Sequence, residues 1–182
     1  MPTRKKVLAI CGSTRAQSTN LDYIRAIINL TRDQFQITIY NDLASLPHFN
    51  PDLDNDHPPL PVIEFRKLLR SFDGILICTP EYAMGVPGSL KNAIDWTVSS
   101  MEFAQKPTAL ITASSMGQKG HESLLGTLRI IMAGITEETQ LLIPFAKTKI
   151  NKELAITNPD TMSSVSGLLD SFDRLMNEME AG

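Results

Sequence analysis

Cysteine, histidine and tryptophan are scarce in this chain, at two, three and one residues among 182, and each scarcity narrows the chemistry. Two cysteines, Cys11 and Cys78, could form one pair, but no third or fourth ligand follows at zinc-like spacing. Each ends a short apolar run, so both are expected as small buried residues at strand ends. The histidines His48, His57 and His121 have no serine or carboxylate at motif spacing, and each is expected on a surface or in a loop rather than as a base. No nucleophile elbow, P-loop or dinucleotide glycine pattern occurs. No apolar run approaches roughly 18 residues, so no membrane span is expected. The polar stretch before Val7 does not read as a secretory leader, which makes the cytoplasm the expected compartment. A net charge of −3 gives no field for nucleic acid, and Arg4-Lys5-Lys6 reads as a solvated start. Repeats, linkers and low-complexity stretches are also missing, so residues 1–182 are expected to form one domain.

What is present is a regular alternation of apolar runs and helical patterns. Val7–Cys11, Gln36–Tyr40, Gly74–Cys78, Pro107–Ala113 and Thr139–Ile143 read as strands. Helices are expected over 18–31, 60–70, 89–99, 121–133 and 163–180. Gly74-Ile75-Leu76-Ile77-Cys78 is continuously apolar, as a strand buried on both faces must be. Strands and helices in this order make an α/β protein, a parallel sheet with helices on both faces. Asn41–Leu60, rich in Pro, Asp and Asn, is too long for a simple connector.

Ligands in such sheets bind beyond the carboxyl ends of the strands. Three glycine-containing loops lie there: 12–19, 79–88 and 114–120. The first, with Ser13, Thr14, Arg15, Ser18, Thr19 and Asn20, combines hydroxyls, an amide and a guanidinium ahead of a helix N-terminus, as a monophosphate cradle would; an ordinary N-capped helix would use similar residues. The second, Thr79–Gly88, holds two prolines and two glycines that shape its backbone. Its N–H and C=O groups could meet the edge of a flat heteroaromatic ring, with Tyr82 and Met84 in apolar contact; a structural strand-to-helix turn is the alternative. Ser114-Ser115-Met116-Gly117-Gln118-Lys119-Gly120 could close the other side, with Lys119 either meeting a phosphate or, as the simpler reading, standing solvated in a flexible loop. With no catalytic side chain in evidence and Glu81 the only acid in these loops, chemistry would fall to a bound cofactor.

Gly12-Ser13-Thr14-Arg15-Ala16-Gln17-Ser18-Thr19-Asn20 resembles the phosphate loop of the NADPH-dependent FMN reductase family. Thr79-Pro80-Glu81-Tyr82 followed by Pro87-Gly88-Ser89-Leu90-Lys91-Asn92-Ala93-Ile94-Asp95-Trp96 is similar to its second signature, and Leu46-Pro47, Asn50-Pro51-Asp52 and Leu128-Arg129 fit the same pattern. The resemblance runs from about Val7 to Ile150. It implies a flavodoxin-like, doubly wound five-stranded parallel sheet of order 2-1-3-4-5. It also implies noncovalent FMN reduced by NADPH or NADH, a small-molecule electron acceptor, and a homodimer or homotetramer.

Carried over by position, Ser13, Arg15, Ser18 and Asn20 would hold the FMN phosphate, with Thr14 and Thr19 in the same loop. Pro80, Glu81, Tyr82 and Ala83 would border the isoalloxazine, with Ser114, Met116 and Gly117 on the adjoining loop. Two departures stand out: Ala83 where the family often has Asn, and Gly85 where it usually has Ser. The implied activity passes electrons from a reduced nicotinamide through FMN to quinones, flavins, azo compounds or metal oxyanions. The alternatives are an FMN-binding electron-transfer or redox-sensing module, or a flavin-free nucleotide- or phosphate-binding regulator.

Overall fold

A computed structural model describes residues 4–181; of the expected span 1–182, residues 1–3 and 182 lie outside the described residues. Five parallel strands, β1 (Lys5–Cys11), β2 (Phe35–Tyr40), β3 (Gly74–Thr79), β4 (Thr108–Ala113) and β5 (Gln140–Ile143), form one sheet of order β2-β1-β3-β4-β5. Five helices connect or follow them: α1 (Thr19–Leu30), α2 (Leu60–Arg70), α3 (Gly88–Asp95), α4 (Gln118–Ile130) and α5 (Pro159–Ala181). The doubly wound, flavodoxin-like order expected from the resemblance is the order found.

Strand pleating splits the apolar residues into two cores. Val7, Ala9, Cys11, Leu76, Cys78 and Ile111 face α1 and α5, where Tyr23, Ile24, Ile27 and Phe172 cover them. Leu8, Ile10, Ile75, Ile77 and Leu110 face α2, α3 and α4, meeting Phe65, Trp96, Leu124 and Leu128. Side chains two apart share a face of a strand, so a run with no polar break, such as Val7-Leu8-Ala9-Ile10, belongs to both cores at once.

Helix ends differ from the sequence expectation where side chains take over backbone partners. α3 stops at Asp95 rather than Ser99, because the Thr97 N–H and hydroxyl both donate to the Ile94 carbonyl and tighten the chain into turns. α5 starts at Pro159, earlier than expected, because Asn158 Oδ1 accepts from the Thr161 N–H at 2.9 Å and its hydroxyl at 2.8 Å. Proline follows in the first helical position, where its missing N–H costs nothing.

The long 41–59 segment is anchored rather than free. Asn92 accepts from the Phe49 N–H (2.7 Å) and donates to the Pro47 carbonyl (3.0 Å), and Trp96 Nε1 donates to that same carbonyl (2.8 Å). Trp96 is fully buried and serves packing. Further along, Arg66 donates to Asp54 at 2.6 Å and to the Trp96 carbonyl, tying the segment to α2 and the end of α3. Burial pushes the Asp54 carboxyl up, but the hydrogen bonds from Arg66 and Ser99 outweigh it and hold the group below its ordinary 3.8.

A carboxyl held low in the folded state adds stability that is complete above about pH 4 and fades as pH falls through its folded value. Asp54→Asn is therefore expected to cost about 1–3 kcal/mol near neutrality and to flatten the loss of stability between about pH 4 and pH 2. Urea unfolding of both proteins across that range measures it.

Candidate functional site

The carboxyl ends of β1, β3, β4 and β5 open onto one cleft of about 350 Å³. It is lined by Ser13, Arg15, Ser18, Thr19 and Asn20 after β1, Pro80, Glu81 and Tyr82 after β3, Ser114 and Ser115 after β4, and Phe145 to Thr148 after β5.

The β1 loop is a concave run of unspent donors. The Gly12 N–H bonds the Cys78 carbonyl at 2.8 Å, and the Asp22 N–H bonds the Ser18 carbonyl at 3.0 Å. Between them, among the described residues, the one backbone N–H with a protein acceptor is that of Arg15, 3.4 Å from Ser13 Oγ. Ser18 is the N-cap of α1 by position, but its hydroxyl makes no capping bond. The first-turn N–H groups and the helix dipole are therefore left for a ligand.

Beneath the loop, the buried Cys78 thiol donates to Asn20 Oδ1 (3.4 Å), which leaves the amide nitrogen as the free donor. Cys11 donates to the Ser13 carbonyl at 3.3 Å. Burial pushes both thiols up, so they stay protonated and act as donors. The Arg15 guanidinium is exposed and makes no ion pair among the described residues. This donor set fits a phosphate monoester.

Opposite, the Tyr82 and Gly85 backbones bond each other in both directions (3.1 and 2.9 Å) around Ala83 and Met84. Both central residues have positive φ, 49° and 60°, the two-residue turn that asparagine and glycine normally fill. Tyr82 OH lies 3.3 Å from Ser13 Oγ and bridges the β3 and β1 loops.

Glu81 is committed to the scaffold: its carboxylate accepts the Gly120 N–H at 2.7 Å, and its own N–H donates to Ser114 Oγ at 3.3 Å. Gly120 sits in the first turn of α4, whose N-cap, Gly117, offers no side chain, so Glu81 supplies the missing cap from across the cleft. A Cβ on Gly120 would come within 3.0 Å of the Gly85 carbonyl oxygen.

Some sequence-predicted residues lie outside the cleft lining. Thr14 faces a neighbouring hollow. Ala83 is a turn residue, and Met116 is 65% exposed. Gly117, at φ 92°, is required by the chain path, because a Cβ there would meet Leu142 at 2.8 Å. Lys119 pairs with Glu122 on the surface. His48 and His57 are exposed as expected. His121 is not: it is buried on α4, 2.8 Å from Thr112 Oγ1 and 2.7 Å from Gln140 Oε1.

The segment 145–148 was missed by sequence reasoning. Its signal was positional alone: it follows the fifth strand and so falls on the same rim. Phe145, at φ 53°, donates its N–H to the Ser115 carbonyl and Ala146 donates to that of Ser114, both at 3.0 Å. Tyr23 OH then bonds the Ala146 carbonyl at 3.1 Å, closing this side against α1. Lys147 brings a second cation to the cleft.

Among known proteins, the sequence model of a family described as NADPH-dependent FMN reductase matches residues 5–148. A 2-hydroxy-1,4-benzoquinone reductase from a Burkholderia species is 28% identical, over 92% of this chain and 93% of its own length. The NADH-dependent flavin reductase subunit 2 of Lactobacillus johnsonii is 27% identical over 96% and 99%. The solved structure of FerB, a flavoenzyme NAD(P)H:(acceptor) oxidoreductase from Paracoccus denitrificans, superposes with a TM-score of 0.76 at 21% identity, covering 96% of this chain and 98% of that one.

Two adjacent non-glycine residues in left-handed conformation store strain, about 1 kcal/mol each. Ala83→Asn is expected to raise stability by about 0.5–1 kcal/mol, since asparagine tolerates this conformation. Comparing the urea midpoints of the two proteins at equal slope measures the change.

Proposed function

Because the chain belongs to the NADPH-dependent FMN reductase family, we propose that its cleft holds FMN with the phosphate in the Ser13–Asn20 loop and the isoalloxazine between the β3 and β4 loops. The protein is an FMN-dependent NAD(P)H oxidoreductase. The observation that carries the placement is the uninterrupted set of free N–H groups from Thr19 to Leu21, backed by the unpaired Arg15 guanidinium.

Bound FMN supplies the hydride and electron chemistry that no side chain here can. The chain's own residues bind and orient. Ser13, Ser18, Thr19 and the Asn20 amide donate to the phosphate, and Arg15 adds a charge-assisted bond. Tyr82 covers one edge of the ring, and Glu81, by holding the Ser114 hydroxyl and the Gly120 N–H together, fixes the distance between the two loops that flank it. Ala83 supports turn geometry rather than side-chain contact with the ring, and Thr14, Met116 and Gly117 act from outside the lining. With Glu81 spent on α4, no other carboxyl group lines the cleft among the described residues.

Quinones are the favoured acceptor class. Phe145 (61% exposed) lines the cleft, and Met84 (76%) and Met116 are exposed on the β3 and β4 loops that flank it; such apolar surface suits a flat uncharged ring, and one relative bears a benzoquinone reductase name. The same apolar surface supports a homodimer or homotetramer that brings a neighbouring chain beside the flavin. One domain over 1–182 and residence in the cytoplasm complete the reading. No helix of the described residues is long and apolar enough to cross a membrane.

An anaerobic titration of the FMN-loaded protein with NADPH and NADH tests the function: the flavin absorbance should bleach and return on adding a benzoquinone. Flavin that stays oxidised with both donors would leave an electron-transfer or sensing module instead. Arg15→Ala should weaken FMN binding by at least roughly tenfold, read by quenching of flavin fluorescence. An unchanged affinity would remove the phosphate from this loop.

A further inference from the structure

The flavin cleft is the first of three hollows in a row. A second, of about 170 Å³, lies behind the β1 loop and is lined by Thr14, Leu43 and Ala44 among others; it shares Ser13 and Arg15 with the cleft. A third, of about 380 Å³, sits between the carboxyl end of β2 and α2 and shares Ile39, Tyr40 and Asn41 with the second. Through these shared residues the three follow one another along the sheet rim, with the Ser13–Arg15 segment as a saddle between the first two.

The third hollow has its own chemistry. Tyr40 forms one wall, its ring 4.9 Å from that of Phe65 and half-buried. Its hydroxyl makes no hydrogen bond among the described residues; burial first, then the charges of Asp42 and Glu64, push it up to about 12, so it remains a donor. Asp42 and Glu64 line the same hollow, exposed and without ion pairs among the described residues. Ser45 adds a hydroxyl. An aromatic wall, two carboxylate acceptors and a phenol donor suit a base and a neutral ribose diol and repel a phosphate. Asp42 stands just past the end of β2, on the lining of this hollow, with a carboxylate available to accept from a ribose hydroxyl.

We propose that the third hollow is an adenosine subsite, so that the protein takes the dinucleotide FAD as well as FMN. The proposal rests on FMN occupying the cleft as described above. The flavin end lies in the cleft, and the pyrophosphate crosses the saddle, where Arg15 faces both hollows. The adenine then meets the Tyr40 ring, and its ribose hydroxyls donate to Asp42 and Glu64. Nothing in this arrangement asks the FMN part to move.

The full-length protein, stripped of flavin, is titrated in parallel with FMN and with FAD. FAD is expected to bind at least as tightly as FMN. Asp42→Ala should weaken FAD about tenfold while leaving FMN within about twofold, and Ser45→Phe, which fills the hollow without touching the cleft, should have the same selective effect. FAD binding weaker than FMN overturns the proposal alone, as does a FAD affinity unmoved, relative to FMN, by both substitutions. Failure of both flavins to bind overturns the FMN assignment with it.

Discussion

The close approach of β1 and β3 where they leave the sheet organises the whole rim. At Gly12 the chain turns out of β1 so near its neighbour that a Cβ would lie 2.2 Å from Thr79 Oγ1, and its N–H extends the pairing to the Cys78 carbonyl. Any side chain there would push the two loops apart. Held together, they let Tyr82 reach Ser13 and Cys78 reach Asn20, so the donor-rich β1 loop and the β3 loop are parts of one unit. β4 joins through Ser114 and Glu81, and β5 joins through the backbone bonds of Phe145 and Ala146. The cleft is therefore a consequence of strand order: β1 and β3 are neighbours at the point where the winding reverses.

The parts of this architecture that obey a short period were legible in the sequence. A strand covered on both faces has to be apolar throughout, so Val7–Cys11 and Gly74–Cys78 declare themselves, and the Ser/Thr/Asn run after Gly12 marks a loop that lines the cleft. What was not legible depends on partners distant in the chain. Phe145–Thr148 carries no motif and enters the site only because β5 ends beside β4. Gly117 reads from the sequence as a loop contact, whereas its left-handed backbone is imposed by Leu142 and Thr112 behind it. His121 looks like a polar surface residue until Thr112 and Gln140 are brought to its two nitrogens.

Glu81 shows how a residue on the cleft lining can be committed to the scaffold. From the sequence it is the lone acid of the rim. In the fold its carboxylate is the N-terminal cap that α4 lacks, and the absence of a cap residue at Gly117 and of a side chain at Gly120 become two aspects of one joint. The strained Ala83–Met84 turn sits next to this joint, where the paired Tyr82 and Gly85 backbones hold it in place.

The two cations of the cleft have a kinetic meaning as well. The chain as a whole is mildly acidic, yet Arg15 and Lys147 both stand exposed on the lining of the same opening with no neutralising partner among the described residues. Such a molecule presents a locally attractive field to a doubly charged phosphate and a weakly repulsive one elsewhere. Capture of an anionic ligand is then guided to the opening and slows as added salt shortens the reach of the field. Release, which breaks short-range hydrogen bonds inside the loop, is largely indifferent to it.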